Sequence, residues 1–530
     1  MAGSFHLADL FETVARTVPG RIAIEGDTRC LTYAGLDERA TRLATGLAAQ
    51  GLGRGDTVGL YLTNRVEFIE AFLAVIKLGA IPFNVNYRYR AEELRYLFAN
   101  GRAAAIIHDA QYGEILRGLR GDLADLKLCV AVADGSLEAA AGSLAYADLL
   151  ESAPAGPWPR AEDDIMLTYT GGTTGMPKGV MWPHRAFFFA CAGGGGHFNP
   201  HGPATCPQDI ADRAAHGYPL RMFTVAPLMH AAALWTVWSA LLNGLTVVLD
   251  ESGRFDAAAI WQKVADRNVQ LLQIVGDAMA IPLRDALRAH PGRWDLSGLV
   301  SLGSGGALFS RHVKEDLAGL LPPAVRLTDG MGSTETGVAG MAAASAEGMM
   351  QLEAGETLKV VVDDRFAVAG ETGIIARSGH TPVGYFGDAE KTAEVFRQID
   401  GRLWVISGDS GRLEADGRIT VFGRGSTCIN SGGEKIFPEE VEEALRAHPA
   451  IRDAVVAAQA DARWGERVVG IVSLRAGHAA PALEEMRGFL GDALAGYKLP
   501  RALVWVDEVH RSPAGKQDYR WARAMAETAR

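Results

Sequence analysis

The chain has 530 residues, of which 48% are hydrophobic and 22% charged, and its formal net charge is -11. That length exceeds one ordinary domain and suggests roughly three to four domain-sized units, enough to stabilise themselves by burial without disulfide staples. The acidic balance argues against nucleic acid as the main partner, because phosphate backbones demand a basic footprint.

At the N-terminus, Asp9, Glu12 and Arg16 interrupt any apolar core, so no signal peptide is predicted. Leu7, Leu10, Phe11, Val14 and Val18 follow helical spacing instead. Leu36, Ala40, Leu43, Ala44 and Leu47 mark a second helical face, with Gly51 as its stop. Thr57 to Leu62 reads as a buried strand, Phe68 to Leu78 as a helix ended by Gly79, and Ala104 to Ile107 as another strand. This alternation predicts a parallel sheet with helices on both faces. The same rhythm returns at Leu245 to Leu249, Leu271 to Val275 and Leu299 to Leu302. Ser152 to Pro159 reads as a surface connector, and Gly193 to Pro219, rich in Gly, Pro and His, as a long loop that is either a lid or a tolerated insertion. The longest apolar run, Ala231 to Leu242, is too short to span a bilayer and is stopped by Asn243-Gly244, so no transmembrane segment is predicted. Leu413 to Phe422 carries a D-G turn between short strands. Pro438 to His448 reads as an amphipathic helix and Val455 to Ala458 as a strand of a separate small α+β domain. The five cysteines, Cys30, Cys129, Cys191, Cys206 and Cys428, are never spaced C-x-x-C, which fits neither a zinc site nor a disulfide framework and suits a reduced, cytoplasmic protein.

The most informative segment is Thr168 to Gly179, TYTGGTTGMPKG, which follows the apolar strand candidate Ile165 to Leu167. Gly171, Gly172 and Gly175 let backbone N–H groups turn toward an anion with no Cβ in the way. Thr170, Thr173 and Thr174 add hydroxyl donors, and Lys178 adds a point charge suited to phosphate. The segment is not a Walker A loop, since Lys178 follows proline and precedes glycine. Gly515-Lys516 fails that pattern too, because Gln517 follows it.

TYTGGTTGMPKG resembles the signature of the acyl-adenylate-forming (AMP-binding) superfamily, which includes acyl-CoA synthetases, luciferases and peptide-synthetase adenylation domains. Further ordered motifs extend the likeness from about residue 7 to residue 522. The resemblance implies an α/β fold. A large N-terminal domain, residues 1–424, would hold mostly parallel sheets flanked by helices plus a β-barrel-like subdomain. Residues 426–530 would form a small mobile α+β domain.

The family's motifs imply site residues one by one. Ser304 to Ser310 (SGGALFS) looks like the adenine-side loop, with Gly305, Gly306 and Ala307 against the purine. Asp329 to Gly337 (DGMGSTETG) resembles the Y-G-x-T-E element. It implies nucleotide contacts from Asp329, Gly330, Met331 and Gly332, an α-phosphate contact from Thr334, and Mg²⁺ at Glu335, a hard oxygen ligand. Met331 replaces the usual tyrosine. Gly370 to Tyr385 matches a structural stretch. Trp404 to Asp409 (WVISGD) places Asp409 on the ribose hydroxyls. In Gly423 to Ile436 (GRGSTCINSGGEKI), Arg424 would contact ribose or phosphate, Gly433 would let the pantetheine arm of CoA pass, and Lys435 would face nucleotide or CoA, if it is not simply a solvent lysine. Ser426 stands where the family usually has Asp or Lys at the pivot. In SPAGKQDY, Lys516 would bridge the attacking carboxylate and the α-phosphate as charge develops.

Ala226 to Leu234 (APLMHAAAL) resembles the family's P-x-x-H element. His230 and Trp235 would border the acyl channel, or else serve as ordinary core residues. Amino-acid-activating relatives carry an Asp near this element, and Ala231, Ala232 and Ala233 supply none. The resemblance therefore implies an apolar acid, closest in texture to the substrates of bacterial fatty acyl-CoA synthetases. The expected activity is ATP-dependent ligation of a fatty or bulky aliphatic acid to coenzyme A, with ATP, Mg²⁺ and CoA required. Alternatives are an acyl-AMP ligase that loads a carrier protein, an aryl-acid CoA ligase, and a silent nucleotide sensor. The sequence leaves a homodimer open.

Overall fold

A computed structural model describes residues 3–133, 142–170, 177–196, 202–307, 309–341, 343–344, 350–424, 427–431, 434–461, 465–491, 494, 496–511 and 517–529. Two largely parallel sheets form the body of the molecule. One has seven strands, with Thr57–Tyr61 at its centre, flanked by parallel Ile81–Asn84 and Ala103–Asp109. All five residues of Thr57–Tyr61 are buried, as a strand covered on both faces requires. β1 (Ile165–Thr170) pairs with Ile81–Asn84, and β2 (Lys178–Pro183) closes the edge antiparallel to β1.

The second sheet has eight strands. Arg221–Thr224 lies beside Thr246–Val248 and Leu271–Ile274, all parallel. Helix α1 (Ala231–Leu241) follows Arg221–Thr224, and helix α2 (Gly276–Ala289) follows Leu271–Ile274. Next come β3 (Ser301–Gly305), helix α3 (Arg311–Leu320) and β4 (Arg326–Ser333), with β3 and β4 again parallel. An antiparallel strand, Gly337–Met341, turns back along β4. Helices thus leave the carboxyl ends of successive parallel strands, which is where open α/β sheets bind ligands.

A third, antiparallel sheet stands where the barrel-like subdomain is expected. Its backbone is the long strand Arg402–Leu413 between Thr372–Ser378 and Arg418–Arg424, and its strand order runs open from Ala343–Ala344 to Arg365–Phe366. The last sheet belongs to a small C-terminal α+β unit. Ile451–Asp461 and Gly465–Leu474 form a long antiparallel pair, and Ala502–Val506 adds a parallel strand. Helix α4 (Pro438–Arg446) starts with proline, whose missing N–H costs nothing there. Helix α5 (Tyr519–Ala526) is capped by Asp518, which accepts from Trp521 N at 2.9 Å.

Gly193 to Pro219 differs from the expected long loop. It contains a helix, Asp209–His216, with Ile210 and Ala214 buried. The many glycines and prolines around it obscure that short apolar spacing. The Asp209 carboxylate anchors the entry by accepting from Thr205 N and Oγ1 at 2.7 and 2.9 Å. Residues 197–201 lie outside the described residues. Among the described residues, no helix is long and apolar enough to cross a membrane.

Candidate active site

The strands β1 and β2 put Thr170 directly opposite Lys178. The two ends of the Gly/Thr-rich segment are therefore brought together at a strand edge. Gly171, Gly172, Thr173, Thr174 and Gly175 themselves lie outside the described residues. A buried asparagine, Asn84, fixes this edge. Its Oδ1 accepts from Tyr169 N at 2.7 Å, and its Nδ2 donates to Tyr169 O at 3.0 Å and to Met229 O at 2.6 Å. One side chain thus joins the strand entering the Gly/Thr-rich segment to the residue before His230.

Lys178 Nζ sits 5.5 Å over the ring of Tyr385 and 3.6 Å from Asp388. The Tyr385 hydroxyl donates to Glu335 Oε1 at 3.1 Å, and the second oxygen of Glu335 has no hydrogen-bond partner among the described residues. Trp182, on β2, donates its indole N–H to Thr334 O at 2.9 Å. Thr334 and Glu335 occupy a tight turn closed by Ser333 and Thr336, each hydroxyl accepting from the other's backbone N–H at 3.1 and 3.2 Å. The turn needs glycine at 332, where a Cβ would stand 2.3 Å from Gly337 O. Two motifs distant in sequence are therefore held at one place, with the Lys178 cation and the Glu335 carboxylate on either side of Tyr385.

The carboxyl end of β3 lies against β4, with Ser304 opposite Asp329 and Gly305 opposite Gly330. Gly306 has φ +85°, and a Cβ on it would be 4.0 Å from that of Ala232. The glycine loop thus faces the first turn of α1, directly after His230. Ala307 and Trp235 are both partly buried at the margin of the main core. Asp329 is buried, with Oδ2 held by Lys314 Nζ at 2.9 Å and Oδ1 unpartnered among the described residues. Burial raises its carboxyl above the usual range, and Lys314 offsets part of that. Met331 packs with the apolar cluster of Leu352, Ile375 and Ile419.

Asp409 is opposite Arg424 in the antiparallel sheet, and its backbone N–H donates to Ser407 Oγ at 3.0 Å. Its charge is one of the smaller causes that raise the buried Glu439 carboxyl of the small domain, after burial and Glu442. Gly433 and Lys516 lie outside the described residues, as do the side chains of Arg424 and Lys435.

A glycine-flanked cation, a carboxylate turn and an acid facing the linker thus stand at strand ends of a doubly wound fold. Residues 11–382 match the AMP-binding enzyme family, and residues 440–516 match the AMP-binding enzyme C-terminal domain. The chain belongs to the AMP-binding enzyme family. A medium/long-chain-fatty-acid–CoA/3-oxocholest-4-en-26-oate–CoA ligase of Mycobacterium marinum is 43% identical over 546 residues, covering 99% of this chain and 98% of the relative. A 3-oxocholest-4-en-26-oate–CoA ligase of Rhodococcus rhodochrous is 41% identical, covering 98% and 96%. Among solved structures, an anthranilate CoA ligase in complex with anthranoyl-AMP superposes with a TM-score of 0.83 at 21% identity over 99% of this chain and 98% of that one, which shows the shared fold.

Within this AMP-binding enzyme, sequence reasoning missed Asn84, Trp182 and Asp388, and it treated Tyr385 as structural only. Nothing in local spacing points to the first three. Tyr385 sits in a motif that was singled out, but its hydroxyl reaches Glu335 only through the fold.

Proposed function

We propose that this chain activates a hydrophobic carboxylic acid as an acyl-adenylate and transfers the acyl group to coenzyme A. The observation that carries the reading is the joining of Lys178 and Glu335 around Tyr385, at the paired ends of the Gly/Thr-rich segment. It supplies a cation and a carboxylate where a nucleotide triphosphate would lie beside the Gly305–Gly306 loop. The enzyme is an acid–thiol ligase whose small-molecule substrates are the acid, ATP and CoA.

In the first half-reaction the acid's carboxylate oxygen attacks the α-phosphorus of ATP. The bond to the bridging oxygen breaks and pyrophosphate leaves. Lys178 and the Thr170–Gly175 segment bind phosphate oxygens, Thr334 contacts the α-phosphate, and Asp409 takes the ribose hydroxyls. Lys516 stabilises charge that grows on the carboxylate and α-phosphate in the transition state. Mg²⁺, when bound, neutralises phosphate charge. Glu335 fits it through its second oxygen, which has no partner among the described residues, since Mg²⁺ is usually held by one or two carboxylates plus substrate phosphates. In the second half-reaction the CoA thiol loses its proton and its sulfur attacks the acyl carbonyl, expelling AMP; Gly433 and Lys435 flank the CoA path.

The acid's apolar character follows from its surroundings. The turn that starts α1 offers Ala231, Ala232 and Ala233 beside His230 and Trp235, with no carboxylate to receive an ammonium. Relatives named for medium- and long-chain fatty acids and for a steroid side-chain acid support a long or bulky substrate. A panel of such acids, assayed for pyrophosphate release with and without CoA, tests the reading. Thioester, AMP and pyrophosphate in equal amounts are expected. Acyl-AMP that accumulates without thioester in the presence of CoA would overturn it.

A further inference from the structure

Asp277, in the first turn of α2, is fully buried and belongs to two structures at once. On one side it holds the glycine loop. Its Oδ1 accepts from Ser310 N at 2.9 Å, while its neighbour Gly276 donates its N–H to Ser304 Oγ at 2.9 Å. Both ends of the loop that carries Gly305 and Gly306 are thus tied to residues 276 and 277. On the other side, Asp277 Oδ2 lies 3.8 Å from Nε of Arg446, a fully buried residue of the small domain.

Arg446 in turn organises the small domain's face. Its Nε donates to Asp453 at 3.1 Å and its Nη2 to Glu442 at 3.3 Å. Asp453 Oδ2 holds Arg511 at 2.6 Å, and Glu442 Oε2 accepts from Gln517 Nε2. Arg511 and Gln517 also pair as an antiparallel bridge. The network therefore fixes both residues that flank 512–516, and Lys516 is covalently next to Gln517. Asp277, Asp453 and Arg511 share the wall of a cleft of about 360 Å³ between the domains.

The rest of the contact is also polar. Glu443 Oε1 accepts from Arg311 N at 2.8 Å, so the small domain caps the N-terminus of α3. Arg452 and Arg475 approach Asp285 and Asp316 at 3.8 and 3.6 Å. No apolar cluster of the described residues spans the two domains; a ring stack of Phe422 on Phe437 lies beside the linker. Docking held mainly by polar contacts is specific in register but weak in net affinity, because desolvation offsets much of the attraction.

We propose that Asp277 and Arg446 form a latch that docks the small domain onto the glycine loop, making them positioning residues that place Lys516 for acyl-adenylate formation. The proposal rests on the role assigned above to Lys516. Asp277→Asn is the clean test. An amide oxygen still accepts from Ser310, and Arg446 keeps Glu442 and Asp453 within its own domain. Only the charge across the interface is lost.

Three readouts are needed on the full chain. Acid-dependent ATP–pyrophosphate exchange reads adenylation, thioester formation from supplied acyl-AMP and CoA reads the second half-reaction, and hydrogen exchange of the Arg311 amide reads docking. In Asp277→Asn, pyrophosphate exchange should fall roughly 10- to 100-fold, less than full removal of one partner of a buried pair would cost, because the amide oxygen still accepts. Thioester formation should stay within about twofold, and Arg311 protection should fall at least about tenfold, reporting local opening. Glu443→Gln should shift the same readouts in the same direction by less. Unchanged pyrophosphate exchange, or equal loss in both half-reactions, would overturn the latch. Failure of the wild type to exchange pyrophosphate would overturn the proposed function instead, and Arg311 protection would still report the docking.

Discussion

The hydroxyl of Tyr385 donates a 3.1 Å hydrogen bond to Glu335, while its ring lies 5.5 Å beneath the ammonium of Lys178. One side chain therefore aims the carboxylate and supports the cation. Tyr385→Phe removes the first function and keeps the second. Hydrogen bonds to charged groups contribute about 1.5–3 kcal/mol, so adenylation should slow by roughly 10- to 100-fold. Half-saturation by Mg²⁺ should rise, because Glu335 loses its orientation. Pyrophosphate exchange titrated with Mg²⁺ measures both, alongside a melting curve that should barely move. An unaltered Mg²⁺ dependence would remove Tyr385 from the site.

Lys516→Ala should cripple the first half-reaction while leaving ATP binding nearly intact. Removing one preorganised donor from a transition state costs on the order of 10²–10³-fold in rate. Calorimetric ATP titration and pyrophosphate exchange on the same preparation separate the two effects. A wild-type exchange rate in the variant would show that another group stabilises the developing charge.

Much of this architecture is legible before folding, and the reasons are physical. Thr57 to Leu62 reads as a buried strand, and the structure forms it over Thr57–Tyr61, because a parallel sheet covers both faces and its apolar run needs no alternation. The helix beginning at Pro438 is announced by proline at its first position and acids after it. The glycine-rich motifs are visible because each is a continuous run of local sequence. The contacts that organise the site are a different kind of fact. Asn84 with Met229, Trp182 with Thr334, and Asp277 with Arg446 join residues far apart in sequence, and no local pattern pairs them. Each looks like an ordinary polar or aromatic residue until the sheets bring the chain together. The same limit applies to Asp209–His216, where Ile210 and two small alanines are too weak a signal to stand out among glycines and prolines.

Asn84 offers a stability test separate from catalysis. It is 4% exposed and satisfies two carbonyls and one N–H in the interior. Asn84→Ala leaves these groups unsatisfied, at about 1–3 kcal/mol each before relaxation. Denaturant unfolding of the N-terminal domain should show a loss of about 3 kcal/mol, because water or local shifts will recover part of the total. Loss below about 0.5 kcal/mol, the ordinary scatter of surface changes, would mean the β1 edge is held by other contacts.

Glu439 contributes a pH dependence to the small domain. Burial, with Glu442 on its own helix and Asp409 across the interface, pushes its carboxyl up to about 8, although its own backbone N–H and the Tyr519 hydroxyl favour the charged form. The folded state therefore holds this proton over a range where the unfolded chain, with an ordinary glutamate, has released it. Stability rises with pH only where the unfolded state binds more protons, and here the native state binds more. The contribution is fully present below about pH 4.5, the ordinary glutamate value. It declines as pH rises and is lost as pH passes about 8. In Glu439→Gln the neutral form is permanent, so that decline should disappear. Melting temperatures of the wild type and variant should converge near pH 5 and separate progressively toward pH 9, with the variant higher. Parallel curves across that range would mean that Glu439 is ionised in the folded protein and balanced by a cation that reaches it.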